Sequence, residues 1–521
     1  MAEDAATEVP NRGIITVCLM IATLMQALDS TIANVALPYM QGSLSASYDQ
    51  ITWVLTSYVV TAAIMTAPVG WLAARFGTKQ LFIVCLVGFT ATSMLCGIAQ
   101  SLTEMVLYRL LQGAFGAALV PLSQSTMLNI YPVEQRGAAM SIWGMGVMVG
   151  PILGPTLGGY LTEDFNWRYV FFVNLPFGIA AVAGLALLMP GGKPRQTPGG
   201  FDWTGFAVLS LGLGALQLAL DRGEQLDWLS SDTIIASFVL AGLGFYLFIV
   251  HMFTASRTFI PREIFADRNF AAGLITMFLV GMVLLASSAL LAPYLENLDN
   301  YPVATAGLVM APRGLGTMFA MLVAGRLTNR VDPRLLMLFG YILLGLSLYM
   351  QEGWTPDVGE SYMITTIVVQ GTGLGFVFVP LQVAAFYTLA PALRTQGTAL
   401  LSLLRNVGSA IGISVTSALL SRMTIYVHAN IMAHITPFSR VLQAGGAVSR
   451  MWNPATKSGA AQLDSLVTTQ AQIIAYMDDY KFMFLATMPA ALCLLLMRGP
   501  QRAAAPASSP AKAPSPAQEA R

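Results

Sequence analysis

The sequence predicts an all-α polytopic membrane protein: two bundles of six transmembrane helices with two extra helices between them, fourteen in all. Three observations predict it. Hydrophobic residues make up 55% of the 521 and charged residues only 10%, against roughly 25% charged in ordinary soluble proteins; the mean hydropathy is +0.65. So few charges could not cover the surface of a soluble chain of this length, and the molecule needs a bilayer as solvent. That excludes a cytoplasmic enzyme, a disordered scaffold and a nucleic-acid binder. Apolar stretches of spanning length recur along the whole chain, and two motifs recur at nearly one offset, which points to a duplicated half.

About 20 mostly apolar residues cross a ~30 Å hydrocarbon core. The stretches that qualify are 14–37, 51–73, 81–100, 105–128, 138–161, 168–189, 203–220, 233–253, 270–294, 303–325, 334–350, 362–388, 397–421 and 482–497. The seventh is short, and the tenth is interrupted by Pro312 and Arg313. The start, Met1-Ala2-Glu3-Asp4, is acidic, whereas a secretory signal opens on a basic region. The first apolar run is also too long for a signal core, so it reads as a retained span.

Basic residues orient such a chain. With the N-terminus inside, the cytoplasmic segments hold seventeen Lys and Arg, and the short outer loops only Arg168 and Arg222. Both termini are therefore expected in the cytoplasm. The expected organisation is a cytoplasmic N-terminus (1–13), a six-helix bundle (14–190), two inserted helices (203–253) and a second six-helix bundle (270–497). The second bundle carries a long periplasmic loop, about 422–481, and the Ala/Pro/Ser-rich tail 502–521 reads as disordered.

The repeat is explicit in two places. Gly70-Trp71-Leu72-Ala73-Ala74-Arg75-Phe76-Gly77-Thr78-Lys79 matches Gly325 to Arg334, an offset of 255. Gln112-Gly113 followed by Val120-Pro121-Leu122 matches Gln370-Gly371 followed by Val379-Pro380-Leu381, at offsets of 258 and 259. Repeated bundles that meet at the bilayer midplane are how many secondary transporters are built.

The remaining composition narrows the chemistry. Lys+Arg number 27 and Asp+Glu 26, which gives no basis for a polyanionic partner. The four cysteines lie in apolar runs, and the three histidines show no metal-ligand spacing, so neither a disulfide framework nor a metal centre is expected. No nucleophile–base–acid set or phosphate-binding loop is visible, so active transport would draw on an ion gradient rather than on a nucleotide or cofactor.

Asp29 lies deep in the first span. A charge at mid-bilayer costs about 2.5–3.5 kcal/mol on insertion scales, so it calls for a cavity, a cationic partner or protonation. Gln26, Asp29, Ser30 and Ala33 share one helix face. A carboxyl held between burial and a nearby cation can load and release a proton; the alternative is a static hydrogen-bonded Asp. Arg109 shares a face with Gln112, Gly113 and Gly116. It either attracts a carboxylate or snorkels to the outer interface. Gly146, Gly150, Gly154 and Gly158 repeat every fourth residue, with Pro151 and Pro155 among them. That stripe lets another helix approach closely, and the prolines remove backbone donors, which suits a gate. Arg313 and Arg405 are the buried charges of the second half, open to a structural or a binding role. Asp478-Asp479-Tyr480-Lys481 reads as an interfacial anchor at the start of the last span.

Several stretches resemble the major facilitator superfamily. Gly70, Arg75, Gly77 and Lys79 fall in a segment similar to its cytoplasmic loop motif, although Ala74 stands where that motif usually has Asp. Arg109 to Gly116 resembles its helix-four motif, and Gly150 to Gly159 its helix-five antiporter motif. Leu28 to Pro38 and Asn166 to Gly178 resemble the fourteen-helix drug:proton antiporters, and Leu216 to Trp228 a multidrug-exporting branch of them. The resemblance runs from about 14 to 497. It implies the major facilitator fold and proton-driven export of hydrophobic or amphipathic toxic compounds across a bacterial inner membrane. Asp29 and Arg109 would then be the coupling residues, and Gln26, Asn34, Gln112, Gln124, Gln370, Gln382 and Arg405 would line the substrate cavity. It also implies a periplasmic adaptor and an outer-membrane channel, with 422–481 as the docking element. The competing readings are export of one narrow substrate, such as a siderophore or metabolite, and a membrane enzyme or sensor.

Overall fold

The computed structural model describes residues 10–191, 200–255, 258–328, 330–435, 452 and 456–497. The expected disordered tail therefore lies outside the described residues. Among those described, helix is the only regular structure. Thirteen helices are long and apolar enough to cross a membrane, and fourteen when one bent pair counts as a single span. Each coincides with an expected span. They are α1 (Arg12–Ser43), α2 (Trp53–Thr66 with Val69–Phe76), α3 (Thr78–Ile98), α4 (Leu102–Ile130), α5 (Arg136–Asp164), α6 (Tyr169–Leu188) and α7 (Trp203–Arg222). The series continues with α8 (Asp232–Thr254), α9 (Arg268–Leu298), α10 (Val303–Leu327), α11 (Pro333–Glu352), α12 (Glu360–Ala385), α13 (Arg394–His434) and α14 (Lys457–Cys493).

Local chemistry sets the ends and breaks. Pro68 has no N–H to donate, and α2 bends there by 57°. Gly77 ends α2 at φ 88°, a backbone region that side chains rarely enter, and α3 starts at the next residue. Asp202, Asp267 and Asp332 cap α7, α9 and α11 by accepting hydrogen bonds from first-turn N–H groups. Helix α10 runs unbroken through Pro312, and α5 through Pro151.

The two halves repeat one packing scheme. In the first, α1 packs on α5 and α6, α4 on α2 and α3, and α3 on α6; in the second, α9 packs on α13 and α14, α12 on α10 and α11, and α11 on α14. The loop motifs repeat too. Lys79 donates to the Met189 carbonyl at 2.6 Å, at the end of the sixth helix of its half. Arg334, its counterpart, donates to the Met497 carbonyl at 3.1 Å, just past the end of α14.

The halves meet at the face that carries the start of α1 and the end of α14, here the terminal face. Helix α5 packs on α10, where a methyl group on Gly137 would lie 2.6 Å from the Gly325 carbonyl oxygen. Helix α2 packs on the start of α13, with Gly70 against Gln396. Gln124 donates to Gln382, Thr398 to the Pro121 carbonyl at 3.0 Å and Arg394 to Asn129 at 3.2 Å. Trp143 stacks on Phe378 at 6.3 Å, both buried. The inserted pair lies to one side: α7 packs on α8, α2 and α13. Asp221 of α7 accepts from Thr56 of α2, while its neighbour Leu220 accepts from Ser414 of α13 at 2.8 Å.

The segment 422–481, expected as a loop, is largely helix. Helix α13 continues to His434 and α14 starts at Lys457, and the residues between fall mostly outside those described. Leu463, Val467 and Ala471 bury one face of the α14 extension, and His428 meets Asp464 at 3.0 Å. A polar helix hairpin can hold together on one narrow apolar seam, so its mean polarity resembles that of a loop.

Candidate functional site

Asp29 stands mid-way along α1 with no exposed surface. Arg109 of α4 reaches it with Nη1 2.6 Å from Oδ2. Gln112, one turn further along α4, donates to Oδ1 at 2.7 Å and accepts from Arg109 at 2.9 Å. Asn174 of α6 adds a longer bond to Oδ1 at 3.4 Å and donates to Ser93 of α3 at 3.0 Å. Arg109 also donates through Nε to the Val54 carbonyl of α2 at 3.1 Å and lies 4.3 Å from the centre of the Tyr58 ring. The network draws on α1, α2, α3, α4 and α6. Arg109 is as buried as Asp29, so it does not snorkel to an interface.

Such a pair is costly to bury and more costly to break. Removing one partner from a buried ion pair leaves an uncompensated charge, at about 3–5 kcal/mol. Here the Asp29 oxygens are met by Arg109, Gln112 and Asn174, and the Tyr58 and Phe171 rings lie against the guanidinium, so the two groups are paired within a closed network. Adding a proton to Asp29 removes the attraction that ties α1 to α4.

The glycine stripe of α5 faces α1, the helix that carries Asp29. Gly150 lies against Ala27 and Leu28, Gly154 against Thr31, and Gly158 against Ile32 and Val35. Gly146 lies against Met20. Helix α5 is also the helix that meets α10 at the terminal face. One helix therefore touches both the buried charge's carrier and the opposite half.

A family model described as Major Facilitator Superfamily matches residues 19–413. The chain belongs to the major facilitator superfamily. Among its relatives, the multidrug export protein EmrB of Escherichia coli K12 is 34% identical over 88% of this chain and 87% of its own. The fatty acid resistance protein FarB of Neisseria gonorrhoeae is 35% identical over 83% of this chain and 85% of its own. A solved structure, that of the human organic anion transporter MFSD10, shares the fold with a TM-score of 0.58 at 14% identity, covering 92% of this chain and 100% of that one. As a superfamily member, the protein is a multi-pass membrane transporter rather than an enzyme.

The superfamily motifs take distinct places. Gly70 supports the α2–α13 contact, Gly77 the turn and Lys79 the tie to α6, whereas Arg75 is exposed. The expected cavity residues separate into groups. Gln26 donates to the Tyr58 hydroxyl at 3.3 Å beside the charge network, and Asn34 is exposed. Gln112 belongs to the Asp29 network rather than to a cavity wall. Gln124 and Gln382 bond to each other between the halves. Gln370 is fully buried and donates to Gln351 at 3.1 Å inside the second half. Arg313 donates to Ser287, Ser288 and the Leu284 carbonyl, all on α9, at 2.6–3.1 Å. Arg405 is half-buried and makes none of the ion pairs among the described residues.

Asn174 and Tyr58 complete the network without having been singled out in the sequence. Asn174 falls in the stretch typical of the fourteen-helix exporters, but its spacing from Asp29 along the chain gives no sign of contact. Asp479 was read as an interfacial anchor, and the structure corrects this: it is fully buried.

Proposed function

We propose that the protein exports amphipathic, toxic small molecules in exchange for protons, with Asp29 as the coupling carboxylate. The observation that carries this reading is the fully buried Asp29, gripped by Arg109, Gln112 and Asn174. Protonation neutralises Asp29 and frees Arg109, which loosens α1 from α4. Helix α1 bears on α5 through the glycine stripe, and α5 bears on α10, so the change reaches the contact between the halves. Arg109 keeps its charge throughout and acts by position.

The relatives named for multidrug export and fatty acid resistance support the substrate class. Arg405, a half-buried cation with no acidic partner, adds a preference for amphiphiles that carry a carboxylate. The alternative of one narrow substrate has no specific contact in its favour.

By the distribution of Lys and Arg the terminal face is cytoplasmic, and the similarity to bacterial drug exporters supports the inner membrane as the location. The contacts between the halves then close the cytoplasmic side, leaving the molecule in an outward-directed state. The α13–α14 hairpin projects into the periplasm and is where an adaptor that continues to an outer-membrane channel would dock. Exposed Ile425 and Tyr426 on that hairpin support this placement.

The test is drug efflux from proteoliposomes under an imposed pH gradient, comparing the natural protein with Asp29→Asn. Gradient-driven efflux that is lost in the variant is the expected result. Unchanged gradient-driven efflux in the variant would make Asp29 structural.

A further inference from the structure

The second half contains a carboxylate whose surroundings are the opposite of those of Asp29. Asp479 of α14 is fully buried, and neither of its oxygens has a hydrogen-bond partner. The hydroxyls of Tyr480 and Tyr294 and the Nε1 of Trp354 are buried and unpartnered as well. Tyr480, next to Asp479 in the chain, belongs to one aromatic cluster with the other two. The Tyr294 ring lies 5.5 Å from Trp354 and 5.2 Å from Tyr476, and Trp354 lies 6.1 Å from Tyr480. Four unmet buried polar groups at or beside one aromatic cluster are rare in a finished core, where buried polar groups are paired. Such a set calls for an occupant.

Among the described residues, no cation pairs with Asp479. Arg313 of α10 is within electrostatic reach of Tyr480, but its donors are committed to α9. Lys481 on the same helix lies 3.7 Å from Glu352 of α11. On α13, His428 is held by Asp464. The other ionisable groups nearby, Asp478 and Tyr476 on α14 and Tyr294 and Asp299 at the end of α9, are acidic. A bare carboxylate there would be an unpaired buried charge, whose cost is removed when it carries a proton.

We propose that Asp479, fully buried and unpartnered beside the Tyr480–Trp354–Tyr294 aromatic cluster, is a second proton-binding site of the transporter, occupied in this conformation while Asp29 is paired with Arg109. The proton-bearing Asp479 and the arginine-paired Asp29 then sit in opposite halves. In a protein that exchanges protons for substrate, this makes Asp479 a proton carrier. That last step rests on the proton-coupled reading above, whereas proton occupancy at Asp479 does not.

Occupancy is read directly by difference infrared spectroscopy of the purified protein near neutral pH. A buried protonated carboxyl gives a carbonyl stretch separate from ionised carboxylates. The band is expected in the natural protein and in Asp29→Asn, and absent in Asp479→Asn. Asp479→Glu, which keeps the carboxyl, should shift the band and serves if Asp479→Asn does not fold. A band unchanged in both Asp479 variants, or no band in the natural protein, would overturn the proposal. In proteoliposomes, Asp479→Asn is expected to exchange one proton fewer per substrate while still exporting. Loss of the band with an unchanged exchange ratio would overturn the carrier role. Failure of the Asp29 reading would appear separately, as gradient-driven export persisting in Asp29→Asn.

Discussion

Arg109 is a single side chain that satisfies three helices, and its removal should be felt as a charge effect. Arg109→Ala leaves Asp29 buried without its cation, for an expected loss of about 3–5 kcal/mol in unfolding free energy. The double variant Asp29→Asn with Arg109→Ala should recover much of that loss, because no lone charge remains; thermal unfolding in detergent checks both. Equal destabilisation in the single and double variants would mean that packing, not charge, dominates the site. Asp299 offers a pH test outside the spans. Burial pushes its carboxyl up to about 6, so the folded chain holds that proton more tightly than the unfolded chain. Its contribution to stability is complete below the ordinary carboxylate range and is lost as pH rises through about 6. Asp299→Asn should therefore narrow the gap in melting temperature between about pH 5 and about pH 7.5. In the sequence, Asp29 and Arg109 announced themselves because a lone charge in an apolar run needs a reason. Asp479 did not, since Asp478 and Lys481 beside it imitate a wet helix end. The aromatic cluster beside it includes Tyr294 and Trp354, more than a hundred residues away along the chain.

Helix α5 shows what an element does that no one of its residues does. Its glycine edge sets how closely α1 can lie, and so how firmly Asp29 is presented to α4. A methyl group on Gly150 would fall 2.9 Å from the Ala27 backbone and 3.0 Å from the Leu28 nitrogen. Gly150→Leu should cost about 1–3 kcal/mol by overpacking and should depress transport. Gly159→Ala, with nothing within 4 Å, should stay within about 0.5 kcal/mol of the natural protein. Equal effects at the two positions would remove the close approach as the reason for the stripe. The spans themselves were legible because hydropathy is summed over some 20 residues and survives local exceptions such as Pro312. The extensions of α13 and α14 beyond the apolar stretches were not. Their burial depends on Leu463, Val467 and Ala471 meeting a partner helix, and a four-residue spacing in a polar segment is a faint signal.

At the level of the whole molecule, the duplicated plan puts matching glycines at matching crossings: Gly70 at α2–α13 and Gly325 at α10–α5. Transport by alternating exposure requires both crossings to open. Cysteines at Gly70 and Gln396 should lock one of them: a Cβ built at Gly70 lies 2.9 Å from that of Gln396, so the helices need to part by only about half an ångström or more to reach the ~3.5–4.5 Å of a disulfide. Oxidation is expected to stop transport and a reductant to restore it; continued transport by fully cross-linked protein would show that this crossing need not part. Helix α13 links these events to the far end of the molecule. It is continuous over 41 residues, a rod of about 60 Å at 1.5 Å per residue. Its first turns hold Arg394 and Thr398 at the terminal face, and its last turns form the projecting hairpin. A tilt of only a few degrees at one end becomes a sweep of several ångströms at the other. The His434 end of α13 is therefore a pointer, whose distance to a fixed mark on the first half reads out the state of a seal it never touches. Anything that clasps that end works the same lever in reverse.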